Sequence, residues 1–228
     1  MEGSSLAKAT VENLKAYIQE ELQKSPIRER LNRFIQDGSS KAGTRYEEVF
    51  TREFLCPVIG RFFYLYVRSE LNMSDGEIKA GLGTEGFTNC PGSGFTPGHR
   101  SNHLFTKADI IKPRPPDRWF AADEKALSTF QACPDFAISK PLPLSVVGET
   151  KYFKSGSPAR AVRELYDTAR QAVFYLGAFP GCYDSAMIVV ADASAGHTFH
   201  KGLELLKPEL LQRFGSETNV HLVTIKIA

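Results

Sequence analysis

A regular succession of strand-like and helix-like segments begins at Pro134, and it constrains the fold more than any other feature of the chain. Short apolar segments that alternate with amphipathic ones are typical of an α/β protein. The run Ala186–Ala191 is apolar throughout, which predicts a strand that is buried on both faces. The predicted order, after one long helix upstream, is hairpin, helix, strand, helix and strand.

The predicted elements have bounds that the apolar pattern and the Pro and Gly positions define. Strands are predicted at Phe136–Ile138, Leu144–Phe153, Ala186–Ala191 and Val220–Ile227; helices are predicted from Ser157-Pro158 to Gly177–Gly181 and at Leu203–Phe214. Upstream, helices are predicted at 6–24, from Pro26 to a break at Asp37-Gly38, and at Thr44–Leu71. Pro57 and Gly60 are expected to kink or split the last of these.

The 228 residues suit a single domain with one insertion. We predict a helical N-terminal addition at 1–42, a core at 43–80 and 133–228, and an insert at 81–132. The insert is dense in Gly, Pro, aromatic and basic residues, with one short helix predicted at Asp123–Phe130. A loop this long inside a compact domain is usually functional or disordered.

Composition excludes several classes of protein. No run of about 18 apolar residues predicts a membrane span, and the polar start of the chain shows no secretory signal, so a cytoplasmic location is expected. The four cysteines form no CxxC pair, which favours reduced, structural thiols. Cys90, His99 and His103 are only a weak candidate for zinc. A net charge of +2 does not by itself indicate nucleic-acid binding, although a local basic patch is compatible with this net charge.

Asp135, Glu149 and Lys151 are the main candidates for catalytic residues. Side chains alternate along a strand, so Glu149 and Lys151 share one face and Thr150 points away from it. If the two strands pair, Asp135 approaches both residues. A metal ion bound by the two carboxylates would then also be within reach of the Thr150 backbone carbonyl. Mg²⁺ prefers such oxygens, and an ammonium group can orient water or offset developing charge. The set therefore predicts a Mg²⁺ site for phosphodiester hydrolysis.

An acid-x-lysine triplet has little weight by itself, because the chain contains two others. They are Glu77-Ile78-Lys79 and Asp123-Glu124-Lys125. Neither has apolar flanks of strand type, and only the set at Asp135, Glu149 and Lys151 lies in a predicted hairpin. The alternative interpretation of that set is an exposed Asp at a turn and a surface Glu–Lys pair.

Pro134-Asp135 and Glu149-Thr150-Lys151 resemble, in this strand context, the motif of the PD-(D/E)XK nuclease superfamily. The superfamily includes type II restriction endonucleases, RecB-like exonucleases, Mrr-like enzymes and archaeal Holliday-junction resolvases. The resemblance covers roughly 43–71 and 133–192. It implies a restriction-endonuclease-like α/β core, in which a central mixed sheet is flanked by helices, and Mg²⁺-dependent cleavage of DNA.

Two residues of the helix that follows the second strand extend the resemblance. Gln171 and Tyr175 are four positions apart, hence on one helix face. Together they match the QxxxY element of RecB-like members. The implied role is to orient Lys151 or to contact the DNA backbone, whereas the alternative is an ordinary helix with a polar flank.

A third carboxylate is implied by the segment Gly43-Thr44-Arg45-Tyr46-Glu47. The segment looks like the G-x-x-aromatic-Glu start of the first core helix in Mrr-like nucleases, where the Glu points to the metal. Glu47 is therefore a candidate catalytic and metal-binding residue, with Glu48 and Glu53 as competitors. The alternative is a solvated carboxylate at the start of a helix.

Contacts with DNA are expected from basic and aromatic residues around the site and in the insert. The candidates are Lys154, Arg160, Arg163 and Tyr175 near the site, and Arg100, Lys112, Arg114 and Arg118 in the insert.

The function that the sequence favours is that of a type II restriction endonuclease acting on duplex DNA. The chain is small and has no ATPase motif. Its insert and N-terminal helices are additions of the kind that recognition of a DNA sequence, or dimerisation, requires. A homodimer is a family-level expectation for cutting both strands. The alternatives are a RecB-like or Mrr-like nuclease in DNA repair or phage defence, and a catalytically inactive DNA-binding module.

Overall fold

The computed structural model describes residues 9–38, 46–74, 77–78, 134–138, 142–178 and 183–227. The helices are α1 (Val11–Gln23), α2 (Ser25–Gly38), α3 (Tyr46–Phe50), α4 (Cys56–Glu70), α5 (Pro158–Ala178), α6 (Thr198–Glu204) and α7 (Pro208–Thr218). The strands are β1 (Phe136–Ile138), β2 (Val146–Phe153), β3 (Ser185–Asp192) and β4 (Val220–Lys226). A π-helical turn, Thr51–Leu55, joins α3 to α4.

The strands form one open, mixed sheet in the order β1-β2-β3-β4. The short strand β1 is antiparallel to β2, and β2, β3 and β4 are parallel to one another. All eight residues of β3 are buried, as its apolar run predicts. The predicted α/β architecture, a mixed sheet flanked by helices, is therefore confirmed.

Each face of the sheet packs against its own set of helices. Val147, Ile188 and Val190 point to the face that α5, α6 and α7 cover, which we call the α5 face. The other face carries residues such as Val189 and Ile225 and is covered by α1, α2 and α4. Helices α1 and α2, predicted as an N-terminal addition, thus share a buried cluster with the sheet itself.

The long helix predicted at Thr44–Leu71 is divided in the structure. The π-helical turn lies just before Pro57, and α4 then continues through Gly60. Proline has no N–H, and its ring crowds the carbonyl four residues earlier, which here belongs to Glu53. The wider π turn gives that ring room, so only Pro57 acts as the predicted interruption.

The helix predicted at Leu203–Phe214 is wrong, because two helices occupy this part of the chain. Lys207 is extended, with ψ of 130°, since it precedes Pro208 and the residue before a proline disfavours helical backbone. Pro208 then begins α7 without losing a hydrogen bond.

Smaller differences occur at the N-terminal helices and in the insert. Helix α1 begins at Val11 because the Thr10 hydroxyl accepts a hydrogen bond from the Asn13 N–H at 3.2 Å, and α2 continues through the predicted break to Gly38. The predicted helix at Asp123–Phe130 and the weak zinc candidates Cys90, His99 and His103 lie outside the described residues. No helix in the described part of the chain has the length and apolarity needed to cross a membrane.

Candidate active site

The pairing of β1 with β2 places Asp135 beside the middle of β2. Phe136 is the partner of Gly148, and the Asp135 N–H donates to the Gly148 carbonyl at 3.0 Å. The Asp135 carboxylate turns back to β2, where its Oδ2 accepts a hydrogen bond from the Thr150 N–H at 2.6 Å. Because a strand residue presents its N–H and C=O to the same edge, the Thr150 carbonyl also faces this side of β2.

Gly148 permits this close pairing, and the sequence analysis did not single it out. A Cβ atom at residue 148 would lie 1.9 Å from the nearest atom of the Phe136 ring, where no carbon atom fits. The ring therefore lies directly over the glycine, and this packing holds the start of β1 against β2. A glycine immediately before the Glu-x-Lys triplet was the signal available in the sequence.

Glu149 extends from β2 towards α5 and is held there by two donors. Its side chain is only 3% exposed. Its Oε1 accepts hydrogen bonds from the Tyr175 hydroxyl at 2.7 Å and from Gln171 Nε2 at 3.1 Å, and Gln171 Nε2 is also 2.9 Å from the Tyr175 hydroxyl oxygen. With Oε1 used in this way, Oε2 is the oxygen that faces Lys151.

Lys151 connects Glu149 with the first core helix. Its Nζ lies 2.9 Å from Glu47 Oε1 and 3.8 Å from Glu149 Oε2. Glu47 comes from α3, so this ion pair joins residues 104 positions apart. The structure thus brings Asp135, Glu149, Lys151 and Glu47 together, as predicted, with Gln171 beside them. Of the competing carboxylates, Glu53 lies in the π-helical turn and is exposed.

The two carboxyl groups at the hairpin are difficult to ionise together. Burial and the nearby Glu47 carboxylate raise the pKa of Asp135 to about 7, against the opposing effect of Lys151. Burial and the charge of Asp135 raise the pKa of Glu149 to about 8. Burial lowers the pKa of Lys151, but the carboxylates of Glu47, Asp135 and Glu149 outweigh it, so the net pKa is raised and the ammonium stays charged at neutral pH.

The donor set fits a hard divalent cation that keeps most of its water. Among the described residues, no three His, Cys, Asp or Glu side chains form a cluster ready to ligate one ion. Glu47 was also a candidate metal ligand, but its carboxylate pairs with the Lys151 ammonium, which leaves Asp135 and Glu149 as the carboxylate pair. Proteins often hold Mg²⁺ through one or two carboxylates and several waters. Burial raises both pKa values, and the charge of Asp135 raises that of Glu149 further, so a cation between the carboxylates would lower them by stabilising the ionised forms.

Two roles implied for the α5 residues need correction. Gln171 and Tyr175 contact Glu149, and neither forms a hydrogen bond with Lys151. Tyr175 was also a candidate for DNA contact, but its side chain is 1% exposed and its hydroxyl is used by Glu149, so it has no surface to offer to DNA. Both residues are therefore positioned to hold Glu149.

The remaining predicted DNA contacts lie near the site or outside the described residues. Lys154, Arg160 and Arg163 are exposed on the loop after β2 and on the first turns of α5. Lys154 Nζ lies 3.1 Å from the Tyr46 hydroxyl, next to Glu47, and Arg160 pairs with Glu164 at 2.9 Å. The candidates of the insert, Arg100, Lys112, Arg114 and Arg118, belong to the part of the chain that is not described.

Comparison with known proteins identified no relative of this chain. No protein-family model matches the chain, and neither the curated proteins nor the solved structures contain a significant match to it. The assignment of the site therefore rests on the residues and their geometry.

The raised pKa values predict how stability depends on pH when no divalent ion is present. The free energy of unfolding is expected to fall as pH rises from about 5 to about 8. In the unfolded chain these carboxyl groups titrate near pH 4, so across this range the folded state binds more protons than the unfolded state. Thermal unfolding at a series of pH values measures the effect.

The Glu149→Gln variant is the control for this pH dependence, because it cannot ionise at the buried position. Its stability should change less between pH 5 and pH 8 than that of the unmodified protein. Mg²⁺ should raise the melting temperature of the unmodified protein more at pH 8 than at pH 5. Equal pH dependence in both proteins would contradict the assignment of the shifted groups.

Proposed function

We propose that this chain is a Mg²⁺-dependent endonuclease of the restriction-endonuclease-like fold, which hydrolyses phosphodiester bonds of duplex DNA. The observation that carries the proposal is the meeting of Asp135 and Glu149 at the β1–β2 hairpin, with the Lys151 ammonium 3.8 Å from Glu149. Carboxyl groups whose pKa values are raised by burial and by neighbouring carboxylates are concentrated at functional sites.

Each residue of the site has a task in this proposal. Asp135, Glu149 and the Thr150 carbonyl would hold Mg²⁺, which when bound supplies Lewis acidity at the phosphoryl oxygen and acidifies a water. Lys151 keeps its proton and offers its ammonium N–H groups to the charge that develops on the phosphate. Glu47 fixes that ammonium, and Tyr175 and Gln171 fix the rotamer of Glu149.

The class of nuclease is a separate question. Type II restriction endonuclease remains our first assignment, because the chain carries a long insert and N-terminal helices but no ATPase motif. The hydrogen bonds of Gln171 and Tyr175 to Glu149 favour the second assignment, a RecB-like or Mrr-like nuclease in DNA repair or phage defence. In that case cleavage depends on DNA structure, ends or modification instead of a short sequence.

One assay tests the function and separates these assignments. The protein is incubated with supercoiled plasmid and Mg²⁺, and the products are separated on a gel. Discrete fragments support restriction, and a smear or digestion from ends supports the second assignment. The products should carry a 5′-phosphate and a 3′-hydroxyl, as the resemblance implies, and Ca²⁺ should permit binding with little cutting. Binding without cutting in any divalent metal would favour the inactive DNA-binding module and overturn the proposal.

The Tyr175→Phe variant should cut DNA about tenfold more slowly than the unmodified protein. The change removes the hydroxyl that donates to Glu149 at 2.7 Å, while the ring stays in the core. Because this hydrogen bond favours the ionised carboxylate, its loss should move the acid limb of the pH–rate profile to higher pH. Rates from pH 6 to pH 9 measure both effects. An unchanged profile and an unchanged rate would mean that the hydroxyl has no role and that Tyr175 acts only through packing.

A further inference from the structure

A group of basic side chains lies at the end of the sheet towards which β2, β3 and β4 run. The strands end in register, because Phe153, Asp192 and Lys226 occupy one row across the three strands. The Ala193 N–H donates to the Phe153 carbonyl, and the Ile227 N–H donates to the Asp192 carbonyl, both at 2.9 Å. The chain thus leaves all three strands at the same edge, which we call the carboxyl edge.

Four exposed basic residues gather at the carboxyl edge. They are Lys154 after β2, Arg160 at the start of α5, Lys201 on α6, and Lys226 at the end of β4. Two of these side chains lie close to glycines of the loops that follow β2 and β3. A Cβ atom at Gly156, in the loop after β2, would meet Arg160 Cδ at 3.0 Å, and one at Gly196, in the loop after β3, would meet Lys201 Nζ at 3.3 Å.

Acidic side chains do not cancel this group of charges. No described acidic residue forms an ion pair with Lys154, Lys201 or Lys226, and only Arg160 is paired, with Glu164. Asp192 lies in the same row but is fully buried, and its oxygens accept hydrogen bonds from the backbone and side chains of Ser194 and His200. Its carboxylate is therefore not accessible to a ligand at the protein surface.

The carboxyl edge is wide enough to face several phosphates of a duplex. Adjacent strands are about 4.8 Å apart, so β4 lies about 10 Å from β2. Duplex DNA carries one phosphate charge per about 1.7 Å of its axis, hence about six over that distance. Phe153 is two residues beyond Lys151 on β2, about 7 Å along the strand, so the edge begins next to the candidate active site.

We propose that the carboxyl edge is a phosphate-binding surface that holds the duplex next to the cleavage site, with Lys201 and Lys226 as its outer contacts. This proposal rests on the proposed nuclease function and extends it to residues on β4 and α6. Phosphate contacts position a duplex without reading its sequence, so the surface should bind any flanking sequence equally.

The salt dependence of DNA binding tests this surface. Binding of the 228-residue protein to a labelled duplex is measured in Ca²⁺ at several salt concentrations, for the unmodified protein and for the Lys201→Ala/Lys226→Ala double variant. The slope of log K against log salt is negative, and each lost phosphate contact reduces its magnitude by about 0.9, so the magnitude should be smaller by about two in the double variant. Its cleavage rate in Mg²⁺ at saturating DNA should be unchanged.

A control pair with the same loss of charge is available elsewhere on the molecule. Arg61 on α4 and Arg213 on α7 are exposed, and the Arg61→Ala/Arg213→Ala variant should keep the slope of the unmodified protein. Equal slopes in the two double variants would overturn the proposed surface and leave the nuclease proposal standing. A slower saturated rate with an unchanged slope would also overturn it. If the unmodified protein does not bind duplex DNA at all, both proposals fail.

Discussion

Replacing Lys151 by alanine is expected to lower the rate of DNA cleavage about a thousandfold while DNA binding changes little. The Lys151 ammonium lies between Glu47 and Glu149, 2.9 and 3.8 Å from their oxygens, and it is the one described cation that forms an ion pair with the carboxylate pair. Alanine removes that charge from a half-buried position where water replaces it poorly. Cleavage under single-turnover conditions, together with binding in Ca²⁺, measures the two effects separately.

Lys24 provides a matched control for this variant. It also joins two carboxylates, those of Glu20 and Glu21, but it lies at the end of α1 on the other side of the sheet. The Lys24→Ala variant should cut DNA at the rate of the unmodified protein. Equal rates for Lys151→Ala and Lys24→Ala would mean that Lys151 has only a structural role.

Replacing Gly148 by alanine is expected to destabilise the protein by about 3 kcal/mol and to abolish cleavage. The added Cβ would lie 1.9 Å from an atom of the Phe136 ring, so the ring and the start of β1 must move. Asp135 is adjacent to Phe136 and is held by the Gly148 carbonyl and the Thr150 N–H, hence its carboxylate moves with the strand. Urea unfolding measures the loss of stability, and the plasmid assay measures the loss of cleavage.

Gly215 on α7 is the control glycine. A Cβ atom there would meet only the Val220 carbonyl oxygen, at 3.4 Å, an ordinary contact distance. Because alanine favours helix more than glycine does, the Gly215→Ala variant should be as stable as the unmodified protein or more stable by up to about 1 kcal/mol. A Gly148→Ala protein that keeps both stability and cleavage would show that the Phe136 packing does not hold the site.

Much of the core could be predicted from the sequence because its patterns are local. The apolar run of β3, the proline at the start of α5 and the apolar flanks of the Glu-x-Lys triplet in β2 are each local signals of an element. The face shared by Glu149 and Lys151 follows from the same alternation. The pairing of Lys151 with Glu47 needed more, because it joins residues 104 positions apart. The family resemblance indicated only that Glu47 points to the metal, whereas the structure pairs it with Lys151.

Other features depend on packing that no local pattern reveals. The burial of Tyr175 follows from the contact of α5 with β2, and this contact turns a predicted DNA ligand into a support for Glu149. The overlap of Gly148 with the Phe136 ring is likewise visible only once β1 and β2 are paired. The basic carboxyl edge combines residues from β2, α5, α6 and β4, whose common location depends on the parallel order of the strands.

Single-turnover cleavage of plasmid DNA by the unmodified protein and by Asp135→Asn, purified in parallel, tests the central claim most directly. The account predicts Mg²⁺-dependent cutting by the unmodified protein and a rate at least about a hundredfold lower for the variant, because one of the two carboxylates that would hold the ion is lost. Equal rates for both proteins, or no cutting by the correctly folded unmodified protein in Mg²⁺ or Mn²⁺, would contradict it.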